Sequence, residues 1–290
     1  MAIKFELKFD GSEADEHVLD FYDAAQALVG FQRSLALVTH FVLNNEIITQ
    51  APSLEGARIL SAPLEEGSWK STAVVVIGAT WALGTAPKDS PLGHLISSTY
   101  DYVVSQTLGV HVDYNESLGQ TLEKHRSRTD QPGSRESQLD SLTEKCEVPI
   151  KNMHRPVAFS QTADRGQLSY LDIHEKAPIG PPITIDTWDY IDVTSKSDDY
   201  VILEGWVSSY NINTFKGRVY LSAYGRPIPF ILADDIRSAR KIAMITTSLN
   251  ANARERLGDD GRRFIQAYTF TSSTGKIKSI LIVDVMSSEP

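Results

Sequence analysis

Cysteine is nearly absent. Cys146 is the single one in 290 residues, so neither an internal disulfide nor a cysteine-based metal cluster can form within one chain. That usage suits a reducing cytosol. Long apolar runs are missing too. The most hydrophobic stretch, Thr72 to Ala86 (TAVVVIGATWALGTA), is shorter than the roughly 18–20 apolar residues a bilayer requires and is interrupted by Gly78 and Gly84. The opening residues, Met1 to Lys8, carry two lysines and no apolar core of the signal-peptide kind. Both features point to a cytoplasmic protein with no membrane partner. Positive charge is scarce: 28 basic residues face 37 acidic ones, for a net charge of −9. Up to Arg155 there are 13 basic and 21 acidic residues, and beyond it 15 and 16. An acidic first part is poorly suited to a phosphate backbone, which disfavours nucleic acid as a partner. Heptads, zinc-finger spacings, a dinucleotide fingerprint, a phosphate-cradling loop and internal repeats are all lacking.

What remains is a globular composition, 41% hydrophobic and 22% charged, organised around one long striped segment. Between His17 and Asn44, residues Phe21, Ala24, Leu28, Phe31, Leu35, Val38 and Val42 recur at spacings of three and four, the signature of a buried helix face. Ala25, Val29, Ala36 and Leu37 widen it. Glu13, Asp15 and Glu16 precede the helix, where negative charge meets its positive end. Asn44-Asn45 supplies a residue that tolerates a left-handed terminus.

Ahead of the helix, Ile3 to Phe9 alternates apolar and polar residues as a half-buried strand. Two more strands are expected at 57–62 and 69–77, joined by a hairpin loop over 63–68. Ser90-Pro91 opens a medium helix striped by Leu92, Ile96, Thr99 and Val103 and ending at Gly109, and 110–114 returns as a strand. The first part, 1–114, is therefore an α+β domain, a small sheet packed on one long and one medium helix. Composition turns polar over 115–155, around Pro132-Gly133, and reads as a linker with a short helix that Pro149 limits. In the last part, 156–290, Ala177 to Pro182 (APIGPP) reads as an irregular connection. Strands are expected at 201–210, 217–224 and 227–232, a helix from Asp234-Asp235 towards Leu257, then a hairpin of 263–271 and 276–286. The order β-β-β-α-β-β is that of a small OB-like β-barrel.

Three constellations could carry chemistry. Arg33 and His40 are seven positions apart on the long helix, nearly two turns, so they share a face. The pair resembles the motif of HEPN ribonucleases, in which arginine polarises a phosphate and histidine moves a proton. The sequence departs from that family in its apolar intervening segment and its mixed rather than all-helical surroundings. His94, Asp101, His111 and Asp113 would form an acid–base or metal site of a hydrolase if the medium helix and the following strand meet. No paired-histidine motif supports a metal, and no cofactor is expected. The third is the outer face of the barrel strands. With Leu203, Val207, Val219 and Leu221 turned inwards, Trp206, Tyr210, Arg218, Tyr220 and Tyr224 share the outside, beside a proline-marked edge at 226–230. Aromatics interleaved with arginine anchor protein interfaces and also stack single-stranded nucleic acid.

The segments AAQALVGFQRSLALVTH (24–40), PSLEGARIL (52–60), EEGSW (65–69), SPLGHLISSTYDYVVSQTLGVHVDY (90–114) and GRVYLSAYGRPIPF (217–230) resemble an uncharacterised family of bacterial cytosolic proteins of this two-part layout. The resemblance implies a bacterial or phage origin, an intracellular setting and, by context, an accessory role in defence or mobile-element systems. It carries no activity and no catalytic residue. The sequence thus favours a non-catalytic protein that binds itself or another protein. A nucleic-acid binder or HEPN-like ribonuclease and a metal-dependent hydrolase are the alternatives.

Overall fold

A computed structural model describes residues 2–48, 54–62, 69–77, 91–110, 133–172, 176–192, 194–272 and 275–288. Its contacts divide the chain into two compact units, one of 1–128 and 141–191 and the other of 129–140 and 192–290.

The first unit is built on a five-stranded sheet of order β2-β3-β1-β4-β5, antiparallel at each pairing. Its strands are β1 (Ala2–Asp10), β2 (Ala57–Ser61), β3 (Lys70–Ile77), β4 (Arg165–Leu171) and β5 (Lys176–Ile183). The central strand shows the expected alternation, with Ile3, Phe5, Leu7 and Phe9 buried. The Phe5 ring meets the edges of Tyr100 and Tyr170, at centroid distances of 5.7 and 5.6 Å, and so ties the sheet to a helix and to β4.

Helix α1 (Phe21–Asn44) is the long striped segment. The Asp20 carboxylate caps its start by accepting from Asp23 N at 2.9 Å, and Asn45 ends it in the left-handed region. Residues 12–16 make a separate 3-10 turn, so the helix begins four residues later than the stripe suggests. Helix α2 (Pro91–Thr107) packs on α1 through Tyr100, whose hydroxyl meets Ser34 Oγ at 2.8 Å. Helix α3 (Gly133–Met153) continues through Pro149 rather than stopping there. Two short helices follow, α4 (Arg155–Ala158) and α5 (Ile185–Asp192).

The stretch 177–182 is not an irregular connection. It forms β5, at the edge of the sheet, where Pro178, Pro181 and Pro182 remove few ladder bonds. Gly180 adopts φ +64° against Val104. Composition puts the domain border near 155, whereas contacts put it after Ile191, because β4 and β5 complete the first sheet. The hairpin loop 63–68, the Ser90 cap, the strand expected up to Tyr114 and the polar stretch 115–132 lie outside the described residues.

The second unit is a closed five-stranded barrel. Strands β7 (Val201–Asn211), β8 (Lys216–Leu221) and β9 (Arg226–Leu232) run antiparallel in sequence. Helix α6 (Ala239–Arg254) follows, then β10 (Arg262–Thr271) and β11 (Ile277–Met286). β11 pairs in parallel with β9 and antiparallel with β10, which pairs with β7 and so closes the ring. This is the OB strand order that the sequence implies. A two-residue strand, β6 (Ser195–Lys196), pairs antiparallel with the end of β10. The aliphatic faces turn inwards: Val207, Val219, Leu221, Ile228, Leu232, Ile265, Ile280 and Ile282 are fully buried, with Ile245 contributed by α6. The outline of β8 is shorter than expected, since residues 222–224 form a 3-10 turn. Among the described residues no helix is long and apolar enough to cross a membrane.

Candidate functional site

Arg33 and His40 do lie along one helix, but they offer no open catalytic pair. His40 is 3% exposed. Its Nδ1 accepts from Glu55 N at 3.3 Å and lies 3.2 Å from Asn44 Nδ2, which assigns the proton to Nε2. Nε2 and one terminal nitrogen of Arg33 are buried without a hydrogen-bond partner. A ribonuclease base must reach a hydroxyl of its substrate, and this imidazole is enclosed by its own chain. The mixed sheet-and-helix surroundings also differ from an all-helical HEPN domain.

Of the second constellation, Asp101 is engaged in holding β5: its Oδ1 accepts from Gly180 N at 2.7 Å. His94 is exposed on the first turn of α2, seven residues away. His111 and Asp113 lie outside the described residues. Among the described residues, no group of three or more His, Cys, Asp or Glu side chains is arranged to hold a metal.

The barrel face is partly as expected. Residues Leu203 and Val207 point in, and Trp206 points out opposite Tyr220. A bulge at Ser208 then reverses the alternation, because Val207 pairs with Val219 while Ser209 pairs with Arg218. Tyr210 consequently turns to the inside, stacked on Phe230 at 6.3 Å, and does not belong to the outer group. Helix α6 satisfies the backbone that the bulge frees: Val207 N donates to Ser248 Oγ at 3.0 Å and Val207 O accepts from Asn252 Nδ2 at 3.1 Å. Trp206 is covered by the turn before β10, where its indole donates to Gly258 O at 2.8 Å and a Gly261 side chain would strike its ring. Arg218 is 5% exposed and is paired through Nε with Asp140, in the part of α3 that belongs to this unit. Burial pushes the Asp140 carboxyl up from its ordinary value, and the Arg218 charge opposes that rise. Of the five residues expected to form a docking surface, Tyr220 is half-buried and Tyr224 is exposed.

The first unit carries an exposed aromatic–cation cluster that the sequence reading misses. Phe21 and Tyr22, on the first turn of α1, are 88% and 61% exposed. Arg155 lies over the Tyr22 ring at 5.1 Å and over the Phe159 ring at 4.4 Å. The Phe159 edge meets Trp188 at 5.1 Å, and Lys151 lies over Trp188 at the same distance. Exposed Ile185 is one helical turn from Trp188. Two buried groups hold this surface in place. Asp23, 4% exposed, accepts from Arg155 Nε at 2.8 Å and from Ser160 N at 3.0 Å. His154 joins Ile150 O through Nδ1 at 2.9 Å and Thr187 Oγ1 through Nε2 at 3.0 Å, fixing α3 to α5. The sequence gives one usable signal, an aromatic pair directly after a capping Asp20. The stripe assigns Phe21 to the core, but on the first turn it is exposed and no element among the described residues covers it. Val29, expected to widen the buried face, is exposed as well.

No curated protein and no solved structure matches the chain. Two protein families do. Residues 199–286, the barrel, match a family of unknown function, DUF7947. Residues 5–191 match a domain of unknown function, DUF7946, ending at the residue where contacts end the first unit. With well over half of its length covered by that match, the chain belongs to the DUF7946 family.

Proposed function

We propose that this is a non-catalytic binding protein that docks another protein chain through the cluster of Phe21, Tyr22, Arg155, Phe159 and Trp188. The supporting observation is the exposure of three large rings, Phe21 at 88%, Tyr22 at 61% and Phe159 at 52%, the latter two against a guanidinium anchored from below by a buried carboxylate. Contiguous exposed apolar surface costs solubility unless something covers it. Tyrosine, tryptophan and arginine are the residues whose truncation most weakens protein interfaces. The nearby exposed carboxylates of Asp20 and Asp186 favour a partner with basic residues around an apolar centre. The setting we propose is the cytosol of a bacterial cell, as an accessory component of a defence or mobile-element system. The cytosolic part of that reading agrees with a lone cysteine that is free and buried, whose thiol burial pushes up to about 12.

A photo-crosslinking amino acid placed at position 21 or 159, in cells of the source organism, tests this. The expected outcome is one dominant protein adduct, absent when the crosslinker is placed at exposed Arg240 and lost on Tyr22→Ala. Light scattering of the purified protein identifies a second copy of this chain as the partner if the mass doubles and Phe159→Ala restores the monomer. Adducts spread equally over all three positions, with a monomer in solution, would overturn the proposal.

A further inference from the structure

The barrel holds a second binding face, closed by its own chain. In an OB barrel the outer side of the second and third strands is the surface on which oligonucleotides lie; here these are β8 and β9. Outward-facing Lys216, Arg218 and Tyr220 alternate along β8, opposite Ile231, Pro229 and Pro227 of β9. Lys216 and Arg218 are two strand positions apart, about 7 Å, close to the step between successive phosphates of an extended strand. Tyr220 and exposed Tyr224 provide rings beside them. Ser209, opposite Arg218, is fully buried, and its hydroxyl joins Arg218 in stabilising the charged Asp140 carboxylate. A guanidinium fork beside a hydroxyl is a set of donors suited to an oxyanion.

An oxyanion already occupies it, supplied by Asp140. In this pair the arginine lies underneath, its side chain 6% exposed, and the carboxylate lies on top at 22%. Leu139, fully buried, anchors the same helical turn. Burial works against the charge of the Asp140 carboxylate, so its release to water regains hydration. The local charge also permits a polyanion. Residues 192–290 hold 13 basic and 11 acidic side chains, whereas 1–191 hold 15 and 26.

We propose that the β8–β9 face is a binding site for single-stranded nucleic acid, in which Asp140 stands in for a backbone phosphate on Arg218 and must leave before a strand can bind. This site is separate from the aromatic–cation surface proposed for protein docking, and neither depends on the other.

The test is fluorescence anisotropy of a labelled oligothymidylate with the full-length protein at low and at physiological salt. Asp140→Asn, which removes the charge and keeps the shape, should bind about tenfold more tightly than the wild type. That binding should weaken with salt, fall away in Asp140→Asn combined with Arg218→Ala or Tyr220→Ala, and exceed binding to a duplex of the same sequence. If Asp140→Asn does not fold by circular dichroism, Leu139→Ala loosens the same turn while leaving the ion pair, and should give a smaller gain in the same direction. Hydrogen exchange on the wild type supplies a further measure, with amides 138–140 exchanging faster when the oligonucleotide is added. No binding by any folded variant, equal binding by wild type and Asp140→Asn, or equal binding of single strand and duplex would each overturn the proposal.

Discussion

Gly30→Ala makes a sharp test of how the first unit is packed. In the interior of an exposed helix this change stabilises by about 1 kcal/mol, because alanine loses less backbone entropy than glycine. Gly30 is a different case. A Cβ added there would lie 2.2 Å from the carbonyl oxygen of Pro149 on α3, with Asn152 Cβ at 3.1 Å and Met153 Cγ at 3.3 Å. The obstructing atom is backbone, so no rotamer change relieves the clash. Relief requires α1 and α3 to separate by about 1 Å, which forfeits much of the dispersion at their crossing. Overpacking of this kind costs about 1–3 kcal/mol, and with backbone on one side and a helix axis on the other the upper end applies. Setting about 3 kcal/mol against the propensity gain of about 1 leaves a net loss of about 2 kcal/mol. For a unit of this size that lowers the melting temperature by about 4–8 °C. Thermal and urea unfolding of Gly30→Ala, with exposed Gln32→Ala as the control for propensity alone, reads it directly. A Gly30→Ala protein as stable as the wild type, or more so, would refute the close helix crossing.

Two further predictions rest on single buried groups. Burial pushes the His154 imidazole down from its ordinary 6.5 to about 4, because the cation is disfavoured there. The unfolded chain therefore takes up a proton that the folded chain refuses between these values. Stability from this group is complete above about pH 6.5 and falls by up to about 3 kcal/mol as the pH drops to about 4; His154→Gln should flatten that part of the pH–stability curve relative to the wild type. In the barrel, Trp206→Phe removes the indole bond to Gly258 O, which is left with Gly261 N alone as its donor. It should cost about 1–2 kcal/mol, seen as a lower denaturation midpoint with an unchanged slope.

The strands and helices set by local pattern were legible. Alternation placed β1 and β7, periodicity placed α1, and the succession of strands, helix and hairpin implied the OB order that the pairings show. What escaped depends on contacts far apart in sequence. The prolines and glycine of 177–182 read as a loop because they cannot serve a central strand, and only the pairing with β4 reveals an edge position that tolerates them. A bulge leaves no mark on a strand of Val, Ser and Tyr, so one inserted residue at Ser208 sent Tyr210 to the wrong side. The cluster around Arg155 draws on positions 21–22, 151–159 and 185–188, three segments that adjoin only once the first sheet and its helices are assembled.

In both units, depth decides what each arginine can do. Arg155 and Arg218 each pair with an aspartate from elsewhere in the chain. Their order from the interior outwards is opposite. Asp23 is the deeper member of its pair, 6% exposed against 24% for Arg155, so the carboxylate serves as an anchor and the guanidinium is left among exposed rings. Arg218 is the deeper member of the other pair, 6% against 22% for Asp140, so there the carboxylate is the lid. An anchored cation costs nothing further to expose and is available to a partner at once. A lidded cation becomes available only after its carboxylate is displaced, by neutralisation or by a competing anion. The two surfaces should therefore respond oppositely to loss of the aspartate: Asp23→Asn loosens the Arg155 cluster and weakens protein docking, whereas Asp140→Asn frees Arg218 and strengthens nucleic-acid binding.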